Sequence, residues 1–253
     1  MIKAVTGALA LAGTVIAAPL SAQLLSNPDS AFKDNTSRKA WHATVERTEN
    51  GWLIGNPDAE TRLIIFTSYA CKGCYEFAFR GDPELDIALL APGLLSLEIR
   101  LRFDHPADLP LALLAACGEP AKFKVNHAMF MRDQKRWMER WNSASAYNRA
   151  IWSRGYTSSR TSLASALDFD DMMAKRRGYS RMDLNLCLNS RGTILGLQES
   201  ATADNQEFGL PTDAEGFSKP HFALDGKLLE GVHDWDALYP VLREHFRPVP
   251  END

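Results

Sequence analysis

The chain has 253 residues, 45% of them hydrophobic, enough to bury one substantial core or two small ones. Its formal net charge is −4, and without a basic surplus a general nucleic-acid role is not expected.

In chain order, Lys3 gives a positive start, residues 4–18 are small and apolar, and Pro19-Leu20-Ser21-Ala22 reads as a cleavage site. Residues 1–22 are therefore expected to be a secretory signal peptide. The run is shorter than the roughly 20 apolar residues a spanning helix needs, and no cysteine follows it to carry a lipid. No later stretch is long and apolar enough to cross a bilayer. The mature chain is expected in the periplasm, where disulfides persist. Residues 23–40 are polar and mixed, a flexible N-terminal segment with a turn at Asn27-Pro28-Asp29-Ser30.

Residues 41–48 and 52–54 flank Glu49-Asn50-Gly51, a hairpin signal. After the breaker Gly55-Asn56-Pro57-Asp58, residues 62–67 read as a strand. Cys71-Lys72-Gly73-Cys74 follows the apolar run Leu63-Ile64-Ile65-Phe66. A helix is expected from Cys71 with Phe77 turned inward, interrupted or kinked at Gly81-Asp82-Pro83 and resumed over 84–90. A helix N-terminus carries unpaired N–H groups and partial positive charge, which favour a thiolate. The cysteine pair therefore suits redox exchange. Residues 95–103 alternate apolar Leu95, Leu97, Ile99, Leu101 and Phe103 with polar Ser96, Glu98, Arg100 and Arg102, a period-two strand.

From Asp108 the pattern turns helical. Asp108 reads as a cap, Pro110 as a first-turn residue and Gly118 as the stop. A second helix is expected near Pro120, with Phe123, His127 and Phe130 on one face. A third helical stripe carries Trp137, Trp141, Tyr147 and Ile151. Residues 153–165, rich in Ser, Thr and Arg, read as a connection, and helices are expected over 169–177 and 183–208. Strand pattern returns at residues 220–224, Asp225-Gly226 turns the chain into Lys227-Leu228-Leu229, and Asp234 caps a last helix to Phe246. The aromatic stripe through Trp152 reads as helix packing, the basic cluster Arg132, Lys135, Arg136 and Arg140 as a solvated helix face, and His221 as a surface strand residue.

All four cysteines fall after the leader. An even count in an exported chain favours two disulfides, although three connectivities are open. Spacing favours Cys71–Cys74, which leaves Cys117 with Cys187; the alternative for the second pair is two buried free thiols. A zinc site would need a second close cysteine pair, and His105, His127, His221 and His233 have no ligand spacing. Binding of soft Cu(I) by the thiolates is a further alternative.

The order strand–helix–strand, helical block, hairpin–helix is an α/β thioredoxin-like fold with an inserted all-helical domain. Residues 41–106 and 209–253 form its two parts and residues 107–208 the insertion. Together with Gly55-Asn56-Pro57-Asp58-Ala59, Ser68-Tyr69-Ala70-Cys71-Lys72-Gly73-Cys74 and Pro220-His221-Phe222-Ala223-Leu224-Asp225-Gly226-Lys227, this order resembles the DsbA-like exported thiol–disulfide oxidoreductases. The resemblance implies that Cys71 is the exposed cysteine that joins a substrate in a mixed disulfide, and Cys74 its buried partner. Pro220 would be a cis-proline facing the pair, where a substrate chain pairs as a strand. Pro211, in Gly209-Leu210-Pro211-Thr212, imitates the motif, but strand and hairpin follow Pro220. Exported proteins with thiols or disulfides, and a redox partner that is membrane-bound in some arrangements, are the implied partners. A monomer with no cofactor is expected.

The chain departs from the family at four places. Lys72 and Gly73 replace the frequent proline and histidine between the cysteines. Lys219 stands where a small or β-branched residue is commoner, and Ile65 where relatives often carry an acid. Lys72 and Lys219 are expected to keep Cys71 ionised. The alternatives in function are a disulfide reductase or isomerase on the same scaffold, or a peptide-binding, chaperone-like module whose Cys71–Cys74 bond is structural.

Overall fold

The computed structural model describes residues 40–247; the expected signal peptide and residues 23–39 of the flexible segment lie outside the described residues. The Asn-Gly signal forms its hairpin. β1 (Val45–Arg47) pairs antiparallel with β2 (Trp52–Gly55), Val45 opposite Ile54 and Arg47 opposite Trp52. Ahead of it, Trp41–Ala43 is one turn of 3-10 helix rather than strand, closed by the Thr44 N–H on the Trp41 carbonyl.

β3 (Thr61–Thr67) runs parallel to β4 (Leu95–Leu101), with Leu63 opposite Leu97. β5 (His221–Leu224) lies antiparallel on its other side, Phe66 opposite His221, and β6 (Lys227–Leu228) pairs with β5. The sheet order is β1-β2-β4-β3-β5-β6. A central strand covered on both faces reads as an unbroken apolar run. Accordingly, Leu63 and Ile65 join Trp52, Ile54, Leu97 and Ile99 in the main core, while Ile64 and Phe66 pack with Leu210 and Ala223 on the opposite face.

The alternation in β4 holds, but its polar side is covered too. Glu98 is buried, and Arg100 bridges it at 3.0 Å to Asp204 at 2.7 Å. Asp204 belongs to α9 (Arg191–Glu207), which lies along this face. Thr48 Oγ1 donates to Glu98 at 2.6 Å.

α1 (Lys72–Leu85) follows the cysteines and runs unbroken through Gly81, Asp82 and Pro83. An added Cβ on Gly81 would come within 2.4 Å of the Phe77 ring, so the glycine leaves room for that ring. Pro83 removes one N–H from the ladder. Downstream, the chain passes through a π-helical turn, Asp86–Leu90, where the Ala91 N–H reaches the Asp86 carbonyl.

The insertion comprises α2 (Asp108–Ala115), α3 (Phe123–Arg132), α4 (Gln134–Ser143), α5 (Ala146–Trp152), α6 (Thr157–Ala166), α7 (Phe169–Arg177), α8 (Arg181–Leu188) and α9. The expected third stripe is thus two helices, the second capped by Ser145, which accepts the Asn148 N–H. The expected connection at 153–165 is largely α6. Its composition is unfavourable for a helix, but Leu163 and Ala164 are buried and Arg160 satisfies the Leu188 carbonyl at 3.1 Å. The expected long helix from 183 is broken at Asn189 and Ser190; its first half starts earlier, in a capping box between Ser180 and Asp183.

Trp137 and Trp152 are core residues, whereas Tyr147 is exposed. Trp52 and Phe123 stack at 3.8 Å, joining sheet and insertion. Arg136 pairs with Asp133 and Arg140 with Asp168, so these members of the basic cluster are neutralised. Cys117 and Cys187 are bonded, tying the end of α2 to α8. The short α10 (Ala214–Phe217) precedes β5, and α11 (Trp235–His245) closes the fold, capped by Asp234. Among the described residues, no helix is long and apolar enough to cross a membrane.

Candidate active site

β3 delivers the chain into Ser68-Tyr69-Ala70 and then to Cys71, the N-cap of α1, in extended conformation. Cys71 and Cys74 are joined by a disulfide, their Cα atoms 5.2 Å apart. The Cys74 N–H donates to Cys71 Sγ at 2.9 Å and the Tyr75 N–H to the Cys71 carbonyl at 3.1 Å. The second is the first bond of the helix ladder; the first spends an orphan donor of the helix start on the sulfur itself. An anionic sulfur at Cys71 would receive both this hydrogen bond and the positive end of α1.

The opposite wall is the segment before β5. The Gly73 N–H donates to the Ser218 carbonyl at 3.0 Å. A Cβ on Gly73 would stand 3.1 Å from Pro220 Cδ and 3.2 Å from both Lys219 Cα and the Ser218 oxygen. Pro220, not Pro211, therefore faces the cysteine loop. Its own carbonyl accepts from His233 Nδ1 at 3.1 Å. All peptide bonds among the described residues are trans, so the cis bond expected at Pro220 is absent. The free-energy gap between the two isomers of an X–Pro bond is small, and no local residue pattern fixes the choice.

Two further expectations change. Cys71 is 2% exposed, as is Cys74, with residues 218–220 packed against neighbouring Gly73 and Gln134 bonded to the Cys71 carbonyl. His221 is buried rather than on the surface: its Nε2 donates to the Gly216 carbonyl at 2.9 Å, its ring meets His233, and burial lowers its pKa.

Lys72 points to solvent and lies 3.7 Å from Glu76; Lys219 Nζ lies 3.0 Å from Glu215 Oε1. Ile65 packs in the main core, with no acid in its place. A buried acid does sit against the segment before the cysteines: Asp108, read in the sequence as a cap. Its buried carboxylate turns away from its own helix. One oxygen accepts from the Ser68 hydroxyl and the Ala70 N–H, both at 3.0 Å; the other accepts from the N–H groups of Asp104 at 3.1 Å and His105 at 2.9 Å. Burial raises its pKa to about 6 against the pull of these four donors.

Tyr69 Oη and His127 Nδ1 lie 2.9 Å apart in the core. Burial holds His127 down at about 4 and raises Tyr69, with the Asp108 charge adding to the latter. Finally, Gln134 Nε2 donates to the carbonyls of Tyr69 at 2.7 Å and Cys71 at 2.8 Å. Nothing in the sequence marks Gln134, because its partners lie more than sixty positions away and are backbone atoms. Among the described residues, no three His, Cys, Asp or Glu side chains converge as a metal-ligand set, and every described cysteine is bonded.

Residues 47–242 match the Thioredoxin family. A crystal structure of a protein-disulfide isomerase from Novosphingobium aromaticivorans is 31% identical, with TM-score 0.71, covering 78% of this chain and 97% of that one. Wolbachia pipientis alpha-DsbA1 (15% identity, TM-score 0.59, 81% and 95% covered) and oxidised BdbD from Bacillus subtilis (14%, 0.52, 81% and 97%) share the fold. No curated protein matches the sequence. With a bonded Cys-x-x-Cys pair capping the first helix of this sheet, the chain belongs to the thioredoxin family, as a thiol–disulfide oxidoreductase.

Proposed function

We propose that the protein exchanges disulfides with exported proteins in the periplasm through Cys71 and Cys74. One observation carries the reading: the disulfide caps α1 with the Cys74 N–H on the Cys71 sulfur. A substrate thiolate attacks Cys71 Sγ, the Cys71–Cys74 bond breaks, and Cys74 leaves as a thiolate that takes up a proton. A second substrate thiolate attacks the substrate sulfur of the mixed disulfide, and Cys71 leaves. The substrate loses two electrons as its two thiols become a disulfide; the protein gains them as two thiols. A stabilised Cys71 thiolate is a good leaving group in the second step. A separate redox partner then reoxidises the pair. Residues 218–220, against Gly73, supply the backbone beside which a substrate strand aligns. Export is supported by the leader-like residues 1–22.

Cys71→Ser is expected to abolish exchange while the circular dichroism spectrum stays unchanged. Undiminished substrate rescue by that variant would instead mark a peptide-binding module with a structural disulfide. A reductase or isomerase is the second reading, favoured by the carboxylates that hold Lys72 and Lys219 and by the name of the 31%-identical structure. Equilibration with glutathione separates the two: a potential near about −120 mV marks an oxidant and one near about −270 mV a reductant.

A further inference from the structure

Gln134 is the first residue of α4, in the insertion, yet it is 6% exposed and its side chain ends on the cysteine loop. Its amide has two N–H donors, and both are used, one on the Tyr69 carbonyl and one on the Cys71 carbonyl. Asp108, the first residue of α2, holds the Ser68 hydroxyl and Ala70 N–H of the same loop. Residues 68–71 are therefore gripped between two helix starts of the insertion.

We propose that Gln134 is a positioning residue for thiol exchange: its bond to the Cys71 carbonyl fixes the sulfur over the start of α1, so that docking of the insertion sets the reactivity of the redox pair. The inference rests on Cys71 being the exchanging cysteine. The Cys71 carbonyl oxygen is a partial negative charge on the residue whose sulfur must become an anion. A second donor on that oxygen draws its charge away from the thiolate and holds the backbone that aims Sγ at the Cys74 N–H, 2.9 Å away. An apolar side chain would pack α4 equally well and do neither.

The test compares reduced wild type with Gln134→Met, which keeps the length and loses the donors, and Gln134→Asn, which keeps the amide but falls one methylene short. The readouts are iodoacetamide alkylation of Cys71 across pH and equilibration with glutathione. Both variants are expected to alkylate about fivefold more slowly below the thiol midpoint, the size of one net hydrogen bond. Their glutathione equilibrium should move by a similar factor toward the disulfide. If the variants melt earlier in both redox states while these two readouts stay at wild-type values, Gln134 only packs and the proposal is overturned. A wild-type measurement covers failure of the variants to fold. The Gln134 side-chain amide NMR signals should shift along the Cys71 titration, and signals that stay fixed through it overturn the proposal. A wild type that exchanges with glutathione at neither cysteine overturns the exchange reading and this inference together.

Discussion

Gly73 is the residue on which the two walls of the site depend. Its missing Cβ lets α1 approach residues 218–220, where the nearest atoms are backbone and a proline ring, which have little freedom to move aside. Alanine gains about 1 kcal/mol of helix propensity, while forcing these walls apart costs about 1–3 kcal/mol. Gly73→Ala is therefore expected to shift the melting temperature by only a few degrees and to slow exchange with a small dithiol several-fold. A wild-type rate would show that the wall yields freely. The two lysines beside the pair contribute less than their positions imply. Each meets a carboxylate at the surface, where screened charges act weakly. Lys72→Ala and Lys219→Ala are each expected to change the Cys71 alkylation rate by less than about threefold, as read from iodoacetamide kinetics.

Among the elements, those with strong local signals were legible. The Asn-Gly hairpin, the run Leu63-Ile64-Ile65-Phe66, the Asp225-Gly226 turn and the Asp234 cap all form as their residues indicate. Local reading failed where distant atoms decide. α6 exists because the core accepts Leu163 and Ala164, and α1 passes Gly81 because Phe77 occupies the space. The Cys117–Cys187 bond closes a sequence separation of 70 residues between α2 and α8. On the chain-entropy account its removal costs about 4 kcal/mol. Replacing both cysteines by alanine should lower the denaturation free energy by that order, with Cys71–Cys74 exchange retained. A loss below about 1 kcal/mol would show that the reduced chain already holds these helices together.

For the whole molecule, the buried groups near the cysteine loop tie stability to pH with opposite signs. His127, with its folded pKa near 4 against 6.5 for the free side chain, contributes stability that is present above about pH 6.5. That contribution is lost as the pH falls toward 4, because the unfolded chain takes up a proton the core refuses. Asp108, raised to about 6, runs the other way: its contribution is present below about pH 4 and is lost as the pH rises through 6. Comparing wild type with His127→Asn isolates the first term. Between pH 7 and 4 the stability advantage of wild type over the variant should shrink by on the order of 3 kcal/mol, measured by denaturant titration at each pH. An advantage that stays constant across that range would mean that His127 is protonated in the folded state as readily as in the unfolded one.

The order of residues was enough for the fold class and for the cysteine pair at the head of a helix, and the family resemblance pointed to Pro220 as the facing proline; the Cys117–Cys187 bond, one of two alternatives left open by the sequence, is settled by the fold. The fold class and the cysteine pair rest on periodicity, spacing and turn chemistry that act over a few residues. Long-range packing set the trans bond at Pro220, the burial of Cys71, and the grip of Asp108 and Gln134 on residues 68–71. These depend on which backbone groups are left without partners once helices and sheet have packed. That remainder is set by the three-dimensional arrangement and leaves no trace in the order of residues along the chain.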